Sequence, residues 1–425
     1  MIRRHFRAAT ALTLLSALTS LPACAQSLSQ RIARAPDGRV QFSFATREGV
    51  CGDGRSYVHM VSGTNTEFYG SFNDLSSEPC VHGPARVVLD RASGEVVGVR
   101  VFVGPPGNDG AADLGVVSTH DAAAYLLDLA AKGEGAVARD AIMPAMLADS
   151  VDNETALVAL ARDQTRSRET RRGAISWLGR GPTAGGSLSS TLVSIATDET
   201  DNQSVRQQAL STLARLPGGA GMPSITQLAG DPQGGWVART ALSVISQSGD
   251  PRARDYLRAV VRKADLPDEA LSVAIRSLGQ QYATASDIAI IRDAWPKLTG
   301  NRSQSAAISA AAEFGGSVNA QWLLSLARDM GATSNTRRLA LESAVRAGAA
   351  TSELVTLYDR TTDPEMKDEL ISALSQAADR TSTDKLLAIA KSDESVTARR
   401  RAISALGRSS DPRVKVALEA LVDRN

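Results

Sequence analysis

From residue 119 onward, apolar and polar positions follow the period of an amphipathic helix, and that pattern recurs at longer range. A short run of Ala (or Leu), a branched aliphatic, two variable residues and a further apolar residue starts at Ala141, Ala174, Ala209, Ala241, Ala274, Ala307, Ala340, Leu370 and Ala402. Successive runs lie 30–35 residues apart. A fixed period in this range, helical throughout, marks stacked helix pairs in which each unit needs its neighbours to complete a core. About 20 residues after the start of each run a second apolar stripe follows. Leu188, Leu192, Ile195 and Ala196 form one such stripe, Ile288, Ile291, Trp295 and Leu298 another, and Val414, Ala417, Leu418 and Leu421 a third.

Helix start and stop signals agree with this division. Asp250-Pro251, Asp363-Pro364 and Asp411-Pro412 each place an N-cap Asp before a Pro at the first helical position. Thr381, Ser382, Thr383 and Asp384 offer a capping box. Gly179 and Gly407 follow an apolar run, where a left-handed C′ residue ends a helix. The fold class predicted is mainly α: an α–α solenoid of about nine units over residues 119–425, preceded by a small β-rich module.

Residues 26–118 carry that β signal. Residues 40–44 alternate apolar and polar, as a half-buried strand does. Residues 86–90 and 95–103 are β-branched runs flanking a short turn that contains Gly94, which predicts a hairpin. Residues 57–61 and 67–72 are weaker strand candidates, and the glycine-rich stretch 104–110 reads as a linker ending an antiparallel module. Cys51 and Cys80 both fall here. In an exported chain they should pair as a disulfide, and closing that loop would stabilise by roughly 3.5 kcal/mol on the chain-entropy model. The rival is a metal site that adds His59, His82 or His120; no CxxC and no paired-histidine spacing supports it. Neither glycine-rich stretch (51–54 or 104–110) is a phosphate loop, and no Gly-x-Ser-x-Gly elbow is present. No catalytic residue, metal or cofactor is predicted.

The N-terminus sets the compartment. Residues 1–7 include Arg3, Arg4 and Arg7, and residues 8–21 are apolar but shorter than the ~20 residues a membrane span needs. Ala23-Cys24-Ala25 fits cleavage before Gln26, so residues 1–25 read as a signal peptide and the mature chain as periplasmic or secreted. Leu21-Pro22-Ala23-Cys24 also resembles a lipobox, which would make an envelope lipoprotein anchored through Cys24. No other stretch has transmembrane length. Loss of the three leader arginines tips a balance of 47 basic and 46 acidic residues to slightly acidic. A near-neutral chain has no global field for gathering nucleic acid, so that partner is excluded. Aromatics are only 4% of residues, which suits a core of small aliphatic side chains between closely packed helices.

Residues 205–213 (VRQQALSTL) and 398–407 (ARRRAISALG) resemble the VRxxAxxALG core of HEAT repeats, and residues 411–414 (DPRV) resemble the start of the partner helix. The style is the short bacterial form also found in phycobilin lyase subunits. The resemblance implies a scaffold or protein-binding role, with the second helices lining a concave face, and says nothing of activity. An arginine recurs just before the repeated run: Arg139, Arg171, Arg172, Arg206, Arg239, Arg337, Arg338, Arg399 and Arg400. It forms either a structural stack, pairing with acids and carbonyls of neighbouring units, or an anion-binding ladder. Trp295 falls on a buried stripe, whereas Trp322 sits in a segment apolar on more than one face. Residues 251–263 place Arg254, Arg258 and Arg262 four apart, a candidate surface for an acidic partner; the alternative is a solvated face with arginine stems lying over apolar neighbours. The function expected is an exported protein-binding or scaffolding module rather than an enzyme. The alternatives are an envelope lyase or hydrolase, sited in the β module or on the inner face of the solenoid, and a lipid-anchored structural protein.

Overall fold

The predicted helix pairs are present in a computed structural model that describes residues 26–55, 57–62, 65–70, 80–105, 107, 110–180, 186–280, 282–409 and 411–422. The expected signal peptide with Cys24, and Pro106, Asn108 and Asp109 of the glycine-rich stretch, lie outside the described residues. The chain divides into two compact units, Met1–Ala156 and Leu157–Asn425.

Among the described residues the first unit opens with a helix, Leu28–Arg34, and holds seven strands: β1 (Gly38–Phe44), β2 (Val50–Gly52), β3 (Tyr57–Ser62), β4 (Asn65–Gly70), β5 (Ala85–Ala92), β6 (Glu95–Val103) and β7 (Ala112–Val116). They form a four-stranded sheet in the order β6-β5-β1-β7 and a three-stranded sheet in the order β2-β3-β4. Alternation along β1 buries Val40, Phe42 and Phe44 completely, and Phe42 lies opposite Val87. The β5–β6 hairpin turns at Ser93 and Gly94, both with positive φ (53° and 86°), the conformation a tight hairpin needs to match strand twist. The module is not wholly antiparallel, because β7, beyond the presumed linker, pairs parallel to β1. Arg91 is buried, and carbonyl oxygens of Ala33, Ala35, Pro36 and Gly94 accept from its guanidinium, tying the first helix to the hairpin.

Helices Thr119–Lys132, Gly135–Asp140 and Ile142–Met146 belong to this first unit rather than to the array that follows. Tyr125 meets Phe42 edge-on with ring centroids 6.2 Å apart. The backbone N–H of Arg47 donates to Leu147 O at 2.9 Å, and that of Asp149 donates to Ala45 O at 3.1 Å. The earliest repeated run starts at Ala141, which is the joint between two short helices. Pro144 explains the break: it has no N–H to donate one turn back, so the helix cannot run through.

In the second unit the runs lie in helices Arg168–Leu178, Gln203–Ala214, Gly235–Ser246, Asp268–Gly279, Asn301–Phe314, Ser334–Arg346, Pro364–Ala377 and Val396–Leu406. We call these the anchor helices. Ala174, Ala209, Ala241, Ala274, Ala307, Ala340, Leu370 and Ala402 all have 0% exposure, so the repeated position is the packing centre of each unit. Second helices alternate with them, from Glu154–Arg162 and Gly186–Thr197 to Pro412–Val422. Successive anchor helices pack on one another along the whole stack, while most successive second helices touch less; Pro251–Lys263 against Ala285–Ala294 is the exception among the described pairs. The anchor row is therefore the tightly packed side of the stack.

Close approach has a residue-level cause. A Cβ at Gly179 would come 2.7 Å from Thr212 Cγ2, and one at Gly279 would come 2.5 Å from Ala310 Cβ. Gly179 and Gly407 keep right-handed backbone (φ −71° and −59°), so neither forms the left-handed C′ cap expected of it. Left-handed caps fall instead on Ala264 and Ala378. Asp250 and Asp363 cap their helices as expected, and Asp411 Oδ1 accepts from the Arg413 N–H at 2.9 Å. The capping box lies slightly earlier than predicted: Asp379 and Ser382 form it, because the helix begins at Arg380.

Candidate partner-binding face

The recurring arginine is a structural stack. Arg171, Arg206 and Arg337 each reach back ten residues, where Nε donates to a carbonyl near the end of the preceding second helix: Ala161 (2.9 Å), Ala196 (3.0 Å) and Ala327 (3.3 Å). Two of them also reach forward to the next unit. Arg171 binds Asp201 through both terminal nitrogens, with both side chains 4% exposed, and Arg337 Nη1 donates to Asp363 at 2.9 Å. Each thus satisfies an orphan helix-end carbonyl, and the forward pair joins consecutive units. Arg399 makes backward contacts, to Asp393 O and Glu394 O.

Arg254, Arg258 and Arg262 are not a row of three free cations. Arg254 Nη2 and Arg258 Nε each donate to Asp287 at 2.7 Å, and Asp287 is fully buried at the start of the next second helix. Arg258 also pairs with Asp255 at 2.9 Å. Burial alone would push the Asp287 carboxyl up, but hydrogen bonds from Arg254, Arg258 and Thr284 outweigh it and hold the group well below the usual carboxylate range. Arg262 is exposed. The spacing of these arginines therefore reflects a clamp on the neighbouring unit, through Asp287.

The arrangement that can receive a partner lies on the exposed face of the anchor row. A groove of about 740 Å³ runs over helices Gly235–Ser246 and Asp268–Gly279 to Arg302. Thr240, Ser243, Ser272 and Ser277 line it with small polar side chains, and Trp236, Arg239, Arg276 and Arg302 line it with large ones. Arg239 and Arg302 share the carboxylate of Glu269, the former at 2.6 Å. Arg206 packs over the Trp236 ring with Cζ 4.9 Å from its centroid. Three guanidinium groups against one carboxylate leave the groove cationic, with an aromatic wall for stacking or apolar contact.

Farther along the same row the charges nearly balance. Asp363, Glu365, Asp368 and Glu369 line a smaller recess of about 330 Å³, with Arg337, Arg338 and Arg401 among them. Trp236 is one of four tryptophans open to a binding reading from the sequence, whereas Glu269 and Arg302 went unnoticed; each of the three stands five residues before a repeated run (Ala241, Ala274, Ala307). Reading the aligned units by column would have found them.

The other tryptophans are structural. Trp177 is buried under Arg180, and Trp295 meets Trp322 edge-on at 5.6 Å, both half-buried rather than core. In the β module Cys51 and Cys80 are bonded, with Cα atoms 5.3 Å apart. Of the candidate histidines, His59 lies against both sulfurs. His82 Nδ1 is 2.8 Å from Val50 O, and His120 is exposed on the helix Thr119–Lys132.

The family model for HEAT repeats matches residues 189–279 and 351–425. No curated protein matches the sequence. Among solved structures, human deoxyhypusine hydroxylase in complex with glycerol is 17% identical over 60% of this chain and 95% of that chain, with a TM-score of 0.25. A superposition that loose carries nothing about activity. Between the two matched stretches the same period and the same buried anchor positions continue without a gap. Residues 189–279 and 351–425 of this chain are HEAT repeats.

Proposed function

We propose that this chain is an exported HEAT-repeat binding protein, not an enzyme, and that it holds a protein partner along the exposed face of its anchor row. The observation that carries this reading is the groove over helices Gly235–Ser246 and Asp268–Gly279, where Trp236 stands beside Arg239, Arg276 and Arg302. Extended faces of repeat stacks are suited to long polypeptide segments, and aromatic and arginine side chains are the types that anchor interfaces. The change from a cationic groove to a recess of nearly balanced charge gives a partner a direction along the row. No helix among the described residues is long and apolar enough to cross a membrane. A periplasmic or secreted site suits the leader reading of residues 1–25 and the Cys51–Cys80 pair; a lipid on Cys24 is the alternative anchor.

The test uses a photo-crosslinking residue at Ser243 in the groove, with Thr356 on a second helix as control, in the native envelope fraction. A discrete adduct at Ser243, absent at Thr356 and lost with Arg276→Glu, is the expected outcome. Identical adducts at both positions would remove the groove from consideration. Intact mass of the same material reports residues 26–425 for simple cleavage, or a diacylglycerol-bearing Cys24 for the lipoprotein.

A further inference from the structure

The strand pair β2–β3 sets Cys51 directly opposite His59, and residues opposite each other on antiparallel strands present their side chains to the same face. A separate backbone bridge holds Cys80 in place: the Gly52 N–H donates to Val81 O at 3.1 Å and the Val81 N–H donates to Gly52 O at 2.9 Å. The ligand atoms of Cys51, His59 and Cys80 all lie within 4.8 Å of one another. His59 Nδ1 is 3.6 Å from Cys51 Sγ and 3.7 Å from Cys80 Sγ. A tetrahedral Zn²⁺ with Zn–S about 2.3 Å and Zn–N about 2.05 Å spaces sulfur and nitrogen about 3.6 Å apart and two sulfurs about 3.8 Å apart. Both sulfur–nitrogen edges already have the length a bound ion requires, and only the sulfur–sulfur edge must open.

We propose that the Cys51–Cys80 disulfide is the oxidised form of a Cys₂His site for a thiophilic d¹⁰ cation such as Zn²⁺. The backbone hydrogen bonds that place Cys51, His59 and Cys80 do not involve the sulfur–sulfur bond, so the three ligands stay gathered when it is cleaved. Exposure sets the order of events, since Cys51 is 6% exposed while Cys80 faces solvent. A dithiol reductant attacks Cys80 Sγ, breaks the sulfur–sulfur bond and releases Cys51 as a thiolate beside His59. Its second thiol then displaces Cys80, and the reductant leaves as a disulfide, having passed two electrons to the pair. The cation binds both thiolates, displacing any thiol proton, together with His59 Nδ1. Thiolate ligands favour Zn²⁺ or Cu⁺ over the harder divalent cations.

Co²⁺ is the probe, added anaerobically to the phosphine-reduced full chain carrying Cys24→Ser. One equivalent should bind, with a thiolate-to-cobalt charge-transfer band and the visible bands of a tetrahedral ion, and Zn²⁺ should displace it. The oxidised chain should show neither band. His59→Ala, which leaves the cysteines in place, should weaken Co²⁺ binding at least about tenfold. Limited proteolysis of the reduced chain should show protection of residues 26–118 restored by Zn²⁺. A reduced chain that develops no charge-transfer band overturns the proposal. So does a His59→Ala chain that binds as tightly as its parent, or a β module left unprotected in the presence of Zn²⁺.

Discussion

Asp287 shows how one buried charge can be held by a neighbouring unit. Its carboxylate has no exposure, and Arg254, Arg258 and Thr284 all donate to it. Removing one partner of such a group leaves the others buried and unmatched, which is costlier than the pair itself is stabilising. Asp287→Asn should therefore cost about 2–3 kcal/mol, less than a fully enclosed pair because Arg254 and Arg258 keep 30% and 25% side-chain exposure. The pH dependence follows from a depressed folded-state pKa. The contribution is fully present above the unfolded carboxylate value of about 4 and is lost as pH falls from there through the folded value. Denaturation of wild type and Asp287→Asn between pH 7 and pH 2 checks this. The gap between them should stay constant down to about pH 4 and narrow below it. A gap that widens in acid would contradict the assignment.

At the scale of the element, helix stops proved harder to read than helix starts. Asp-Pro pairs announced three starts because an N-cap carboxylate and a proline act locally, through N–H groups within the first turn. The stops depend on tertiary contacts. Gly179 looked like a left-handed cap, yet its missing Cβ makes room for Thr212 of the next anchor helix. Ala264 and Ala378 take left-handed backbone, φ 54° and 50°, although nothing in their side chains favours it. Glycine would adopt that conformation without strain. Ala264→Gly should raise stability by about 0.5–1 kcal/mol, whereas Ala347→Gly, at a right-handed helix end, should lower it. Chemical denaturation of the two variants measures the sign directly. The β module was half legible for a similar reason. The β5–β6 hairpin is a local pairing and was foreseen, but the parallel pairing of β7 with β1 brings together residues distant in sequence.

For the array as a whole, the repeating period fixed the architecture and left the binding face obscure. The anchor positions show in the sequence because every unit needs the same small buried residue. The groove shows only as a column five residues before each run, because Trp236, Glu269 and Arg302 are chemically unlike and meet only when successive units stack. Stability in such an array is a sum of unit and nearest-neighbour terms, so damage to one joint should stay local. Arg337 is a suitable joint to cut. It donates to Ala327 O at the end of one helix and to Asp363, which caps the helix Pro364–Ala377. With Arg337 side-chain exposure of 7%, Arg337→Ala leaves the cap carboxylate without its cation and a helix-end carbonyl without its donor. Native-state hydrogen exchange should then show opening of helices Ser334–Arg346 and Pro364–Ala377 made easier by about 2 kcal/mol, roughly thirtyfold faster exchange. Helices Arg168–Leu178 and Gln203–Ala214, several units away, should exchange at the parent rate. Equal acceleration in those distant helices would mean that the array opens as a single cooperative block, and the nearest-neighbour account of its stability would have to be abandoned.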